Sequence, residues 1–192
     1  KAILYSLILL SNTVVFGQKE WNNWYFGSKA GIDFNGASPV PILTSNMFQS
    51  EGSASISDRN TGQLLFYTNG VQVWDRSNAQ MSNGFGLNGN SSTTQSALIV
   101  PKPGSNTIYY IFTAACQGGF YAGFDGLSYS EVDMMQNLGL GNVIVKNTPL
   151  HLPTTEKITA VPMADGCGMW VISHKWGTDE FYVYPVTTAG VG

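Results

Sequence analysis

The sequence has 192 residues, of which only 11% are charged and 12% are aromatic, and its formal net charge is −3. Average proteins carry about 25% charged residues, so this composition, with 22 glycines, is typical of a turn-rich β-protein. No run of Lys and Arg supplies the positive patch that nucleic acid or an anionic lipid surface requires. We therefore expect neither partner, and no cofactor, since the sequence has no cofactor-binding motif.

The first 17 residues have the features of a secretory signal peptide. Lys1 precedes an apolar run over residues 2–16, and Val15 and Gly17 are small residues at positions −3 and −1 of a cleavage site. A transmembrane anchor is the alternative, but about 15 apolar residues are too few to cross roughly 30 Å of hydrocarbon. We predict a signal peptide with a truncated start, cleavage after Gly17, and export to the extracellular space or the outer-membrane surface. No membrane span is expected in the mature chain.

One pattern occurs three times along the rest of the chain. Each copy has an apolar first strand, a polar turn and a second strand of consecutive apolar residues, and then a third strand whose residues alternate or run apolar. First strands are predicted within 51–57, 95–101 and 156–162, second strands at 64–68, 108–112 and 169–173, and third strands at 71–75, 127–133 and 181–184. A fourth strand is predicted at 143–145, and a less distinct one follows Trp74. An insertion at 116–126 lengthens the second copy.

Two further features of the repeats bear on the strand order. Asn69 and Gly70 separate the second and third strands of the first copy, and this dipeptide predicts a tight hairpin with positive φ at both residues. Those two strands are therefore expected to be antiparallel neighbours. Upstream of the first copy, the segments 24–26, 31–34 and 40–42 are interpreted as the last three strands of an earlier unit.

A repeat of roughly 45 residues with three or four antiparallel strands is typical of a β-propeller blade. Stacked blades bury both faces of each sheet, which fits the consecutive apolar residues of the second strands. A β-sandwich is the alternative, but it gives no reason for the copies to resemble one another. We predict an all-β fold, an incomplete propeller of about three blades plus a partial leading blade, over residues 18–192. Because four to eight blades close a ring, we expect the natural protein to continue.

A polar residue precedes the first strand of every copy, namely Glu51, Gln95 and Glu156. The first strand of a propeller blade lines the central channel, so these side chains would ring the channel mouth and contact a polar ligand or a cation. The alternative is that each accepts hydrogen bonds from the backbone of the neighbouring blade. We favour this alternative, because equivalent positions in repeats usually serve the repeat itself.

Other candidate sites have simpler interpretations. Residues 58–62 carry oxygen ligands at alternate positions, but they lack the third acidic ligand and the bidentate Glu of a calcium loop, so we predict a turn. His151 and His174 have no carboxylate or Cys at metal-ligand spacing, so no metal site is expected. No Gly-x-Ser-x-Gly motif is present to mark a catalytic nucleophile.

The sequence also predicts the burial of the tryptophans and the pairing state of the cysteines. Most of the tryptophans are expected to be buried rather than free to stack on sugars, because the core is rich in aromatic residues. The tryptophans are Trp21, Trp24, Trp74, Trp170 and Trp176. Cys116 and Cys167 are predicted at opposite ends of neighbouring sheets, too far apart for a disulfide.

Five segments carry a resemblance to a known group of proteins. They are WYFG (24–27), AGIDF (30–34), QSALIVPKPG (95–104), YYIFT (109–113) and TTEKITAV (154–161). They resemble the amino-terminal propeller-like region of large secreted Bacteroidetes proteins. That resemblance implies a cell-surface location and continuation into PKD-type modules and a gliding-motility-associated carboxy-terminal domain used by type IX secretion. The resemblance does not assign a catalytic or binding role to any residue of this sequence.

Two functions are compatible with the sequence. The first is a secreted or cell-surface binding module of a larger multidomain bacterial protein, with a glycan, a polymer or a cell-envelope protein as partner. The alternative is an extracellular carbohydrate-active enzyme, a glycoside hydrolase or lyase, with acidic residues in the propeller channel. The first is favoured because the twelve acidic residues form no motif, and Glu51 and Glu156 are the sole enzymatic lead.

Overall fold

The computed structural model describes residues 19–117 and 125–192. The predicted signal peptide, residues 1–17, lies outside the described residues, as does most of the insertion after Cys116. The described part of the chain is all-β, with antiparallel sheets and one short 3₁₀ turn at Asn137–Gly139. Across these residues, no helix has the length and hydropathy needed to span a membrane.

The strands form three hydrogen-bonded sheets, of three, eight and four strands. The eight-stranded sheet has two halves that follow one another along the chain, and we number the resulting four units sheets 1 to 4. Sheet 1 contains β1 (Asn23–Phe26), β2 (Ala30–Asp33) and β3 (Val40–Ile42). Sheet 2 contains β4 (Ala54–Ser57), β5 (Leu64–Thr68), β6 (Gln72–Asp75) and β7 (Gln80–Phe85). Sheet 3 contains β8 (Ala97–Pro101), β9 (Ile108–Ala114), β10 (Leu127–Asp133) and β11 (Asn142–His151). Sheet 4 contains β12 (Thr154–Pro162), β13 (Met169–Lys175), β14 (Phe181–Thr187) and β15 (Gly190–Val191).

Sheets 2 and 3 are joined at their outer strands into one eight-stranded sheet. The join is a single parallel pairing of Ser82 in β7 with Asn142 in β11, whereas the strands within each sheet are antiparallel neighbours. The opposite ends of the eight strands, β4 and β8, contact each other. The eight strands therefore form a nearly closed layer around an apolar interior.

Three hydrophobic cores hold the four sheets together. The core between sheets 1 and 2 includes Tyr25, Met47, Leu64, Tyr67 and Trp74. The core between sheets 2 and 3 includes Ile56, Phe66, Ile99, Tyr109 and Ile111. The core between sheets 3 and 4 includes Val100, Tyr110, Phe112, Ile158 and Val171. Because each core joins one sheet to the next along the chain, the sheets are packed face to face in series, which differs from the two layers of a β-sandwich.

Burial explains why the second strands of sheets 2 and 3 have consecutive apolar residues. In β9 every residue from Tyr109 to Ala114 is buried, and in β5 the residues from Phe66 to Thr68 are buried. Successive side chains of a strand point to opposite faces, so burial of consecutive residues means that both faces of the sheet are covered. The predicted burial of the second strands on both faces is confirmed for β5 and β9 but not for β13, in which Trp170 is exposed.

The first strands of successive sheets lie beside one another. β1 contacts β4, β4 contacts β8, and β8 contacts β12. The interpretation of the leading unit is therefore wrong in one respect. Within the described residues, β1 contacts β4 in the way that the first strands of the other sheets contact each other. We therefore assign β1 as the first strand of sheet 1, and β2 and β3 as its second and third strands. The four first strands make a continuous surface along one side of the molecule.

The hairpin between β5 and β6 corrects another prediction. The two strands are antiparallel neighbours as predicted, but the Asn69 amide donates to the Gln72 carbonyl at 3.3 Å, so Gly70 and Val71 form the two-residue loop. Only Gly70 has positive φ, at 85°, and Asn69 does not. The Asn69 side chain instead accepts hydrogen bonds from the amides of Val71 and Gln72, at 3.0 and 2.8 Å.

Candidate functional site

A cleft of about 480 Å³ runs along the surface made by the first strands. We call it the first-strand cleft. Its residues come from β1 and the segment before it, from β4, and from β8. They are Trp21, Trp24, Tyr25, Phe26, Ser53, Ala54, Ser55, Gln95, Ala97, Leu98 and Ile99. Its volume is within the range of about 300–1,000 Å³ that small-molecule sites occupy.

Hydrogen bonds between β1 and β4 form the floor of the cleft. The Ser53 hydroxyl donates to the Tyr25 carbonyl at 2.9 Å, and the Ser55 hydroxyl donates to the Asn23 carbonyl at 2.6 Å. These carbonyls belong to the edge of β1 that is not paired with β2. The two serine hydroxyls therefore supply the hydrogen bonds that these carbonyls would otherwise lack, and because serine is small, open space remains above the strand edge. Each serine oxygen can still accept a hydrogen bond from a ligand.

Aromatic side chains form one wall of the cleft. Tyr25 and Asn23 point into sheet 2 and are buried, so Trp24 and Phe26, which alternate with them along β1, point outward and are exposed. The Trp24 ring is held edge-on against Phe34, with the ring centroids 5.1 Å apart. Trp21, just before β1, is 55% exposed. The cleft thus presents large apolar rings to solvent.

The lining of the cleft carries no charge near neutral pH. Among the described residues that line it, none is an acid, a Lys, an Arg or a His. Tyr25 is the one lining side chain that titrates, and burial, with smaller contributions from Tyr67 and Asp33, raises its pKa to about 12. The lining therefore offers neutral hydrogen-bonding groups and ring faces, and it lacks the carboxyl pair on which glycoside hydrolysis usually depends.

The structure brings one of the three predicted ligand contacts to the cleft. Gln95 lines it, whereas Glu51 and Glu156 do not. The Gln95 side-chain oxygen accepts a hydrogen bond from the Ile158 amide at 3.2 Å, and the Gln95 amide donates to the Glu156 carbonyl at 3.1 Å. Gln95 therefore links the first strand of sheet 3 to that of sheet 4.

Glu156 makes a second set of bonds between the same sheets. One carboxylate oxygen accepts from the amide and the hydroxyl of Thr94, both at 2.9 Å, and the other accepts from the Gln117 amide at 2.9 Å. Burial acts to raise the pKa of Glu156, but hydrogen bonds from Thr94, Gln117 and Cys116 outweigh it and hold the pKa below its ordinary value. Glu51 is exposed, and its side chain has no hydrogen-bond partner among the described residues.

The remaining candidates have structural roles. Asp58 lies in the β4–β5 turn, as predicted, and its carboxylate accepts hydrogen bonds from the amides of Asn60 and Thr61 at 3.0 and 2.8 Å. His174 is the penultimate residue of β13 and packs on Phe181, with the ring centroids 4.9 Å apart. Cys116 follows β9 and Cys167 precedes β13, and both are free thiols.

The prediction that most tryptophans are buried is wrong. Only Trp74 is buried, and it stacks on Tyr67 between sheets 1 and 2. The other four are exposed, because they lie on sheets 1 and 4, which have a neighbouring sheet on one face only within the described residues. They are Trp21, Trp24, Trp170 and Trp176.

Comparisons with protein-family models, with curated proteins and with solved structures find no match for this chain. The resemblance to the Bacteroidetes group stays a prediction.

Proposed function

We propose that this chain is a binding module that holds a neutral glycan in the first-strand cleft. The observation that carries the proposal is the composition of that cleft. Exposed rings of Trp21 and Trp24 stand beside the hydroxyls of Ser53 and Ser55 and the side chain of Gln95. Sugar rings have apolar faces that stack on aromatic rings and hydroxyl edges that exchange hydrogen bonds with neutral polar groups.

The absence of charged groups from the described lining narrows the class of ligand. A uronic acid or a sulfated sugar would leave its charge without a counter-ion in the cleft, whereas a neutral sugar needs none. Binding of a neutral glycan should also depend little on ionic strength, because no ion pair contributes to it. The ligand class proposed here is therefore a neutral oligosaccharide or polysaccharide.

A substitution of Trp21 tests this proposal. A screen of the chain against immobilised neutral and acidic glycans would identify a ligand, and calorimetry would measure its Kd. We expect Trp21→Ala to weaken binding by at least about tenfold, which corresponds to 1.4 kcal/mol of stacking and buried area. Trp176→Ala is the matched control, because Trp176 is also 55% exposed but does not line the cleft.

Three outcomes would count against the binding module. They are a preference for acidic glycans, an equal loss of affinity in the two tryptophan variants, and hydrolysis of the bound glycan. The last outcome would favour the alternative enzyme, and Glu51→Gln and Glu156→Gln would then show whether either carboxylate takes part in turnover.

We infer further that the four sheets are blades of a β-propeller on an exported protein. The propeller is supported by the side-by-side first strands and by sheets packed face to face in chain order, as blades are around a channel. In that arrangement the first-strand cleft lies on the channel wall. Export is supported by the signal-like features of residues 1–17 and by the resemblance to secreted Bacteroidetes proteins.

A further inference from the structure

A second, smaller cavity lies between the turns that join the first and second strands of sheets 2 and 3. We call it the turn cavity. Its volume is about 40 Å³, which is room for one ion or for roughly one or two water molecules. Polar side chains from the segment before β1, from the β4–β5 turn and from the β8–β9 hairpin line it. Those that bear on its chemistry are Glu20, Asp58, Arg59, Asn60, Asn106 and Tyr109.

Glu20 brings a buried carboxylate to the turn cavity. The Glu20 carbonyl accepts a hydrogen bond from the Ser57 amide at 2.9 Å, so the segment before β1 is held against the β4–β5 turn. The Glu20 side chain is only 12% exposed. Its Oε2 atom is buried and has no hydrogen-bond partner among the described residues. Because a buried carboxylate oxygen without a partner lowers the stability of the fold, we expect a ligand to satisfy it.

Asp58 supplies a second carboxylate, and one of its oxygen atoms is also available. The Asp58 Oδ1 atom accepts hydrogen bonds from the amides of Asn60 and Thr61 and from the Thr61 hydroxyl, at 3.0, 2.8 and 3.0 Å. Its Oδ2 atom accepts none from the described residues. The bond from the Thr61 amide is the main reason that the pKa of Asp58 lies below its ordinary value. The carboxylate is therefore charged at neutral pH.

A buried tyrosine points its hydroxyl group toward these two carboxylates. Tyr109 is 7% exposed, and its ring packs edge-on against Phe66 with the ring centroids 5.7 Å apart. Its hydroxyl has no hydrogen-bond partner among the described residues, although Tyr109 lines the cavity. Burial, followed by the charges of Asp58 and Glu20, raises the pKa of Tyr109 to about 12. The hydroxyl is therefore neutral, and its oxygen can offer a lone pair to a ligand.

Arg59 balances the two carboxylates only in part. Its Nε atom lies 3.6 Å from the Glu20 Oε1 atom, which is longer than the roughly 2.7–3.2 Å of an N–H···O hydrogen bond. The Arg59 side chain is 53% exposed, so water screens the pair and its attraction is weak. With two carboxylates and one guanidinium, the described lining keeps a net negative charge.

We propose that the turn cavity binds a divalent cation, Ca²⁺ in preference to Mg²⁺. Glu20, Asp58 and Tyr109, with the side-chain oxygens of Asn60 and Asn106, are hard oxygen ligands, and water would fill the remaining positions. Ca²⁺ accepts six to eight such ligands in irregular geometry, whereas Mg²⁺ requires a near-octahedral set. Zinc and copper are disfavoured because the described lining has no His or Cys.

The β4–β5 turn alone does not have enough acidic ligands for calcium, and the fold adds Glu20 to it from a distant part of the sequence. Within the described residues, no third Asp, Glu, His or Cys joins the two carboxylates to form a metal-binding group. The number of charged ligands tunes calcium affinity, so we expect a Kd of about 10⁻⁴–10⁻³ M, as in extracellular calcium modules.

Calorimetric titration of the chelator-treated chain with CaCl₂ tests the proposal. We expect one Ca²⁺ to bind per chain, and MgCl₂ to bind more weakly. Glu20→Gln removes one of the two charged ligands and should weaken Ca²⁺ binding by at least about tenfold. Asp179→Asn is the matched control and should bind Ca²⁺ as the wild type does, because Asp179 is an exposed acid in the β13–β14 turn, outside the cavity.

A variant that binds more tightly separates a cation site from a simple ion pair. Arg59→Ala removes the competing positive charge beside Glu20, so the affinity for Ca²⁺ should rise several-fold. Melting curves at matched ionic strength would show a calcium-dependent increase of Tm in the wild type and in Arg59→Ala, and a smaller one in Glu20→Gln. Circular dichroism would verify that the variants are folded.

Four outcomes would overturn the proposal. They are no binding of Ca²⁺ by the wild type up to about 10 mM, which is above the expected Kd range, an equal affinity for Mg²⁺, a Glu20→Gln variant that binds Ca²⁺ as the wild type does, and weaker binding by Arg59→Ala.

Discussion

At the scale of single residues, two of the three polar positions before the first strands stabilise the contact between sheets 3 and 4. Glu156 accepts three hydrogen bonds from residues that precede or follow strands of sheet 3, and Gln95 exchanges bonds with sheet 4. These contacts match the favoured interpretation at Gln95 and Glu156, whose side chains bond to the neighbouring sheet, but Glu51 has no such bond among the described residues. The position of the two residues could be predicted from the repeat. Their partners could not, since Thr94 and Gln117 are 62 and 39 residues from Glu156.

Neutralising Glu156 tests this role. Glu156→Gln replaces one acceptor oxygen by an amide that faces donors, so at least one hydrogen bond to Thr94 or Gln117 is lost. We expect the free energy of unfolding to fall by about 1–3 kcal/mol. Chemical denaturation would measure it. Glu51→Gln is the matched control and should change stability by less than about 0.5 kcal/mol. Equal effects in the two variants would contradict the role given to Glu156.

A buried histidine makes the contact between sheets 3 and 4 sensitive to pH. The His151 ring stacks on Tyr182 with centroids 4.2 Å apart, and its Nδ1 lies 2.8 Å from the Tyr184 hydroxyl. Burial, together with the nearby Lys175 charge, lowers the pKa of His151 below its ordinary value of 6.5. Its Nε2 is buried and has no hydrogen-bond partner among the described residues. The charge of a protonated ring would therefore not be stabilised by a hydrogen bond from Nε2.

The pH dependence has a defined sign. Because the folded-state pKa is depressed, the unfolded chain binds the proton more readily once the pH falls below about 6.5, and the folded state loses stability there. We expect the melting temperature to decline from pH 7 to pH 5. His151→Phe, which keeps a ring against Tyr182, should reduce that decline, whereas the control His174→Asn should retain it. A His151→Phe profile identical to wild type would contradict the assignment.

At the scale of elements, hairpin geometry shows how far local sequence determines structure. The dipeptide Asn69–Gly70 predicted the β5–β6 pairing but placed the loop one residue too early. The error arises because the Asn69 side chain bonds to the amides of Val71 and Gln72, which moves the two-residue loop to Gly70 and Val71. Similarly, β7 was only faintly indicated, because its sequence QMSNGF is mostly polar, and four of its six residues are exposed.

A pair of glycine substitutions tests the contact of this hairpin with sheet 3. Both Gly70 and Gly86 have positive φ, at 85° and 76°. A Cβ at Gly70 would lie 2.1 Å from the Ser96 hydroxyl oxygen and 2.7 Å from the Ser96 carbonyl oxygen, whereas a Cβ at Gly86 would have nothing within 4 Å. Gly86→Ala should cost about 1 kcal/mol of stability from backbone strain alone, and Gly70→Ala at least twice that, measured by denaturation.

At the scale of the whole molecule, the repeated sequence pattern predicted an all-β chain with antiparallel sheets, and this part is confirmed. It also located most strands, because period-two and consecutive apolar patterns depend on local burial. The exposure of the tryptophans could not be predicted in this way. Trp170 has apolar residues on both sides in the sequence and Trp74 is followed by Asp75, yet Trp74 lies between two sheets and is buried, whereas Trp170 lies on the last sheet and is exposed. Exposure depends on which sheet has a neighbour.

The series of sheets also accounts for the candidate site. Side-by-side first strands leave a continuous surface, and the exposed edge of sheet 1 brings Trp21 and Trp24 to one wall of the cleft. No single motif in the sequence marks this cleft, because its residues come from three strands separated by about 30 to 40 residues each. Only the packing order of the sheets brings them together, so the proposed function depends on that order.

Amide hydrogen exchange tests the packing order most directly. Sheets 2 and 3 are covered on both faces and sheet 4 on one, so we expect β9 to exchange most slowly and β13, its counterpart in sheet 4, to exchange much faster. Under conditions where the chain is monomeric, equal protection of β9 and β13, or faster exchange in β9, would contradict four sheets packed in series.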